Sequence, residues 1–239
     1  MYICLHKPQN GQEFFVTLET NNSRIIIRVY SWNKKSGVLS QIKYGASIAN
    51  LDSIVYKAQS TDSHLYVTLV ENKVLKFSFD DLTTKFNVYV NYPDYILSGS
   101  NNANLNTATT LFKKNSSNSS SHTIWFSAVN ELNGKLVAGD WKGDMFEYKD
   151  NDFVSVKSCH SSRITDIIGF DTDDSSRFLT ASQDGTIKVW SDDTKQLGQY
   201  SSTSGVSVVC HVAKMDGYND FVYGDQMGYL NILRWHDQD

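Results

Sequence analysis

His160, Ser182 and Asp184 lie close together in the sequence and are the residue types of a hydrolytic triad. In such a triad a serine hydroxyl attacks an acyl carbon, a histidine takes its proton, and a carboxylate holds the imidazole in place. Two Cys-His dipeptides, Cys159-His160 and Cys210-His211, supply the ligand types of a Cys2His2 zinc site. Trp141 stands among polar residues in "GDWKG", and a large aromatic in such a place is what a binding surface uses. Each of these chemistries depends on the elements that would carry the side chains.

Those elements repeat. "KLVAGDWKGDMFEY" (135–148), "RFLTASQDGTIKVW" (177–190) and "DFVYGDQMGYLNIL" (220–233) align on Gly143, Gly185 and Gly228, spaced 42 and 43 residues apart. Each is an apolar run, a polar turn, a glycine and a second apolar run. Alternation such as Ile187 and Val189 against Thr186 and Lys188 makes a strand. A glycine after polar residues supplies the positive φ of a tight hairpin turn. A further strand precedes each hairpin, "TIWFSAV" (123–129), "ITDIIGF" (164–170) and "VSVVCHVA" (206–213), and another follows two of them, "FVSVKS" (153–158) and "LGQYSS" (197–202). Four short antiparallel strands every ~40–45 residues is the signature of a propeller blade.

This placement weighs against both chemistries. A catalytic serine is exposed, commonly on a strained turn. Ser182 instead ends a strand in a repeat whose other copies carry Asp140 and Asp225 at that position. Zinc motifs space their ligands two to four residues apart, whereas adjacent residues of a strand point to opposite faces. We expect no catalytic residue, no metal site and no cofactor.

His160, "SQDG" and "TIKVW" together resemble a WD40 repeat, with Ser191 following Trp190 where the family has Asp. The resemblance is clear over 160–198, moderate over 123–158 and 206–235, and weak before 97. It implies an all-β, WD40-type β-propeller. It also implies a hydrogen-bonded tetrad of His160, Ser182 (or Thr180, two residues away on the same strand face), Asp184 and Trp190. The neighbouring repeats depart from the pattern, with Tyr148 and Leu233 in place of Trp190, so apolar packing must hold them. In such propellers the turns between second and third strands share a rim with the loops that lead into each blade. Trp141, Lys142, Arg163, Gln226 and Met227 become the candidate interface.

The first half fits more loosely. "ICLHK", "EFFVTLE", "RIIIRVYSW" and "GVLSQIKYG" read as four strands, and "SIVYKAQ", "HLYVTLV", "KVLKFSF" and "FNVYVNY" as four more. The Ser/Asn-rich stretch 98–122 is too polar to pack and reads as a disordered insertion. We expect one domain over 1–239 with about five blades, either an open disc or one that a partner completes by donating strands.

The chain has 22 Lys and Arg against 26 Asp and Glu, and no basic run exceeds two residues. That disfavours a phosphate-binding surface and hence nucleic acid. Three cysteines, Cys4, Cys159 and Cys210, without CxxC spacing form no disulfide framework. No apolar run approaches the ~18 residues of a membrane span, and "MYICLHKPQNGQ" turns polar too soon for a signal peptide. The expectation is an intracellular protein, cytoplasmic or nuclear, and the NxS sequons at Asn21, Asn115 and Asn118 read as chance. Its function reads as a non-catalytic scaffold that presents loops to other subunits of a complex. The alternatives are the sensor propeller of a signalling assembly and a WD-repeat methyl-ester hydrolase; the acidic balance disfavours an RNA- or chromatin-associated subunit.

Overall fold

The computed structural model of the chain describes residues 2–6, 14–21, 24–33, 35–44, 55–61, 64–69, 73–78, 108–112, 126–150, 152–172 and 174–236. Among them every regular element is a strand, nineteen in all. The chain divides into two compact units, Met1–Leu111 and Phe112–Asp239.

The first unit holds two sheets. β1 (Tyr2–His6), β2 (Phe14–Asn21), β3 (Arg24–Asn33) and β4 (Val38–Tyr44) pair in chain order. Phe14, Leu18 and Ile27 are buried, and the rings of Phe15 and Trp32 meet edge to face at 5.9 Å. β5 (Val55–Ser60), β6 (His64–Leu69), β7 (Lys73–Ser78) and β8 (Ala108–Phe112) make the second sheet. The sequence places its fourth strand at 86–92, which lies outside the described residues. The structure takes that strand from 108–112, inside the stretch read as a disordered insertion. The reason is local: "ATTLF" combines two β-branched residues with Leu and Phe, and such residues favour the pleated conformation. The rest of 98–122 lies outside the described residues, as do 123–125 of the expected strand 123–129.

The second unit has three antiparallel sheets. β9 (Phe126–Leu132), β10 (Lys135–Asp140), β11 (Asp144–Lys149) and β12 (Asp152–Ser158) form the third sheet of the chain. β13 (Ile164–Asp171), β14 (Ser176–Ser182), β15 (Thr186–Ser191) and β16 (Gln196–Ser201) form the fourth. β17 (Val206–Met215), β18 (Tyr218–Asp225) and β19 (Leu230–His236) form the fifth.

Register shows how closely these sheets repeat. The first strand of each is bulged one residue in, at Ser127, Thr165 and Ser207, and the second sheet repeats this at Tyr56. A bulge bends a strand and sharpens its twist, so it re-aims each leading strand in the same way. The turn glycines share a left-handed backbone as well, with φ of 91° at Gly143, 84° at Gly185 and 85° at Gly228. A Cβ on Gly228 would meet nothing within 4 Å, so its need for glycine is conformational alone. We expect Gly228→Ala to cost roughly 1 kcal/mol, readable as a small drop in unfolding midpoint; an unchanged midpoint would show that the turn relaxes.

Two clusters join the three sheets. Ala128, Leu132, Val137 and Met145 pack against Ile164, Ile167, Phe178 and Trp190. Leu179, Ala181, Ile187 and Val189 pack against Val206, Val209, Phe221 and Tyr223. Polar stitches run between leading strands: Asn130 Nδ2 donates to the Ile167 carbonyl at 2.8 Å, and Val209 N–H donates to Asp166 Oδ2 at 3.0 Å. The third sheet, which departs from the repeat pattern, is filled by rings instead. Phe126 lies 4.5 Å from Phe153 and 5.5 Å from Phe146, and Tyr148 lies 5.0 Å from Phe153.

Candidate functional site

His160 precedes β13, and its ring reaches into the fourth sheet with no exposed side-chain surface. Its Nε2 lies 2.6 Å from Thr180 Oγ1, on β14. Trp190 Nε1–H, from β15, donates to that same hydroxyl at 2.9 Å. On the other side, His160 Nδ1 lies 3.1 Å from Asp184 Oδ2 and 2.9 Å from Thr186 Oγ1. Asp184 Oδ1 accepts from the Thr186 N–H at 2.8 Å and hydroxyl at 2.6 Å, and its Oδ2 accepts from Ser161 N–H at 3.0 Å.

The donor inventory orients this chain. Indole can only donate and a carboxylate can only accept. Thr180 Oγ1 therefore accepts from the Trp190 N–H and donates its hydroxyl hydrogen to His160 Nε2, and His160 Nδ1–H points to Asp184. All partners are satisfied when His160 is neutral. Burial pushes its pKa down to about 4, against the attraction of Asp184, and the Lys188 ammonium pushes the same way. Burial raises Asp184, but hydrogen bonds from Thr186 and Ser161 and the charge of His160 outweigh it and bring the carboxyl down to about 2.

Ser182 lies outside this relay. Its hydroxyl donates to the Ser162 carbonyl at 3.1 Å and accepts from Asp184 N–H at 3.0 Å. The equivalent Asp140 and Asp225 also tie their turns: Asp140 Oδ1 accepts from Lys142 and Asp144 N–H, and Asp225 Oδ1 from Met227 and Tyr229 N–H. The position is a turn cap in all three repeats. The hydroxyl between His160 and Trp190 belongs to Thr180, the alternative that the resemblance left open, and not to Ser182. For the triad this geometry is decisive. The serine makes no bond to the histidine, and the threonine that does is fully buried.

Both Cys-His pairs diverge. Cys159 Sγ donates to the Gly143 carbonyl at 3.3 Å, and burial pushes its thiol up to about 12, while His160 turns to Thr180. Cys210 is exposed, whereas His211 Nε2 lies 3.0 Å from Asn219 Oδ1 and its ring lies 5.2 Å from that of Phe221. Among the described residues no group of three or more His, Cys, Asp or Glu is placed to hold a metal ion, and no helix is long and apolar enough to cross a membrane.

Of the candidate interface residues, the structure brings Trp141 and Arg163 together. Trp141 occupies the β10–β11 turn and is 40% exposed, and the Arg163 guanidinium, just before β13, lies over its ring at 4.9 Å. Lys142 is its exposed neighbour in the turn. Gln226 and Met227 occupy the equivalent β18–β19 turn, two sheets on, where both are exposed. Gln183 N–H donates to the Arg163 carbonyl and Gln226 N–H to the Gly205 carbonyl, so each turn is anchored to the segment leading into its own sheet.

Sequence reasoning missed three features. Thr186 braces Asp184, and Lys157 lies over the Trp190 ring at 5.1 Å. Large apolar residues also stand exposed on the fifth sheet. The last had only a partial signal, since the alternation in "YLNIL" puts these residues on one face without saying that it is exposed.

Comparison with known proteins gives the class. A family model described as the TEP-1 C-terminal beta-propeller matches residues 160–235. The WD40 beta propeller domain of Doa1 aligns with a TM-score of 0.54 and 15% identity over 95% of this chain and 62% of that one. A chain of the mitotic checkpoint complex aligns with a TM-score of 0.52 and 12% identity over 96% of this chain and 62% of that one. No curated protein sequence matches. The chain thus spans less than two thirds of the length of either structure. Its fold is that of a WD40-type β-propeller.

Proposed function

We propose that the chain is a non-catalytic WD-repeat scaffold, one propeller domain over 1–239, that presents its turns to other subunits of a complex in the cytoplasm or nucleus. The observation that carries this is the rim pair. Trp141 stands exposed in a turn whose counterparts are Gln183 and Gln226, and Arg163 braces it. Trp and Arg are the residue types most enriched at interface hot spots. The presence of a similar fold in the mitotic checkpoint complex supports protein partners. The relay around His160 is in use as a structural tie and leaves no free nucleophile there. We also propose that a partner donates strands beside the three-stranded fifth sheet, since an unpaired strand edge is a template for another chain.

Trp141→Ala should reduce recovery of associated proteins in a quantitative pull-down, with a loss of roughly 2 kcal/mol or more in binding. The stacked pair is worth only about 0.5–1 kcal/mol at an exposed site, so the unfolding midpoint should move little. Loss of stability with binding intact would make Trp141 a packing residue.

A further inference from the structure

The two sheet-to-sheet interfaces inside the second unit share their positions but not their filling. Counted from the turn glycine, the residues six before and two and four after are Leu179, Ile187 and Val189 in the fourth sheet, all buried against the fifth. The fifth sheet meets them with Phe221 and Trp235, seven before and seven after its own glycine. The Trp235 indole lies so close that a Cβ on Gly198 would meet its ring carbons at 2.5 and 2.7 Å. At the interface of third and fourth sheets the same positions hold Val137, Met145 and Glu147 on one side and Phe178 and Asp192 on the other. Where the fifth sheet brings an indole the fourth brings a carboxylate, and where the fourth presents Val189 the third presents Glu147. A cleft results. Leu132, Val137, Met145, Val156 and Phe178 line it, and Glu147 stands in its wall with a side chain only 15% exposed. Asp192, also in the lining, pairs with Lys135 of the third sheet at 3.5 Å in an exposed ion pair.

We infer that this cleft docks a tryptophan side chain of a partner protein. Two observations choose the occupant. The equivalent interface is closed by a tryptophan, so these positions of the repeat already accommodate an indole. The second observation is polar. Trp235 Nε1 is buried with no hydrogen-bond partner among the described residues, and the cluster it packs on offers Val189. At the Val189 position the cleft has Glu147, whose Oε2 pairs with Lys149 at 2.7 Å, and a carboxylate has lone pairs for further donors. An indole N–H entering the cleft finds there the acceptor that Trp235 lacks. An arginine, by contrast, would meet two carboxylates already paired with Lys149 and Lys135. An exposed pair such as Lys135–Asp192 is weak and yields to the incoming ring. The inference rests on the reading of the chain as an interaction module and gives it a second surface apart from the Trp141 turn.

Met145 lines the cleft and is a built-in reporter. The full chain is isotope-labelled at its methionine methyls, and N-acetyltryptophanamide is titrated in by NMR. The Met145 methyl should shift under the ring current and saturate, while the exposed Met227 methyl stays in place. N-acetylargininamide should leave Met145 unmoved. Glu147→Val removes the acceptor and should raise the titration midpoint about threefold or more. Asp192→Trp, whose parent side chain is 45% exposed, supplies an indole from the chain itself and keeps the test open if Glu147→Val does not fold. It should abolish the Met145 response and lower partner recovery in a quantitative pull-down. The inference is overturned if Met145 does not respond, responds equally to the argininamide, or responds alike in parent and variants. Unchanged recovery by Asp192→Trp with a responding Met145 overturns it too, since the indole would then come from a free small molecule. If Trp141→Ala lowers recovery while Met145 stays silent, the scaffold reading stands and this one fails. A parent chain that recovers no protein would overturn the scaffold reading, and with it the partner as source of the indole.

Discussion

Thr180→Val should destabilise the protein by on the order of 2–4 kcal/mol, more than Ser182→Ala. Valine matches threonine in shape, so the change removes a hydroxyl and leaves no cavity. What it strands is the indole N–H of Trp190 and the Nε2 lone pair of His160, both of which meet on that oxygen. Each buried polar group left unsatisfied costs about 1–3 kcal/mol. Thr180→Ser keeps the hydroxyl and should recover most of the loss. Ser182→Ala removes one turn contact to Asp184 N–H and one to the Ser162 carbonyl, and should cost about 1 kcal/mol. Urea titration of the four proteins gives the ordering. Equal losses at 180 and 182 would break the assignment of the relay, and so would a Thr180→Val protein as stable as the parent.

The choice between Thr180 and Ser182 shows where sequence stops being sufficient. Both lie on β14 two residues apart, so alternation puts both on one face, and either hydroxyl satisfies the family pattern. Register decides. Trp190 pairs with Phe178, so its indole reaches the diagonal neighbour Thr180. Ser182 lies one pleat further along the strand, beside the turn. Diagonal neighbours two residues on are within reach of an aromatic side chain, and the next pair along is not. Pairing register is a property of two strands, and one strand's sequence carries half of it.

The hairpins were legible for the opposite reason. A glycine at positive φ and a period-2 run on each side are local signals, and Gly143, Gly185 and Gly228 carry them in full. The repeat weakens toward the first half because the feature that persists there is a bulge. Tyr56 sits where Ser127, Thr165 and Ser207 do, yet Tyr, Ser and Thr share no composition that marks the position. The strand at 108–112 was hidden differently, since one five-residue strand inside a polar stretch vanishes in an average over the whole stretch. Exposure of Leu230 and Ile232 was out of reach of pattern altogether. Alternation says that they share a face, and only the neighbouring sheets say that the same face is elsewhere covered.

The histidine at the centre of the relay makes stability depend on pH in a defined window. Its folded pKa is about 4 against an ordinary value of 6.5. The unfolded chain therefore takes up this proton first, and the native state resists it. Protonation of Nε2 would aim a second donor at Thr180, whose own hydrogen would then lose its acceptor in a dry site. Stability from the neutral ring is thus complete above pH 6.5, declines as pH falls from 6.5 toward 4, and changes no further below that. A shift of this size corresponds to about 3 kcal/mol across the window. Asp184 does not blur the effect, because a carboxyl lowered from 3.8 to about 2 loses its contribution only below pH 3.8. The charges facing the ring are Asp184, which favours the proton and stays ionised throughout the window, and Lys188, which opposes it. His160→Gln keeps a polar side chain but cannot titrate. It should be the less stable protein at pH 7.5, with a flatter profile, and the two curves should converge as pH approaches 4. Unfolding midpoints taken at half-unit steps and constant ionic strength measure this directly. Parallel profiles for parent and His160→Gln would mean that the ring is not held neutral, and the direction of the relay from Trp190 to Asp184 would have to be abandoned.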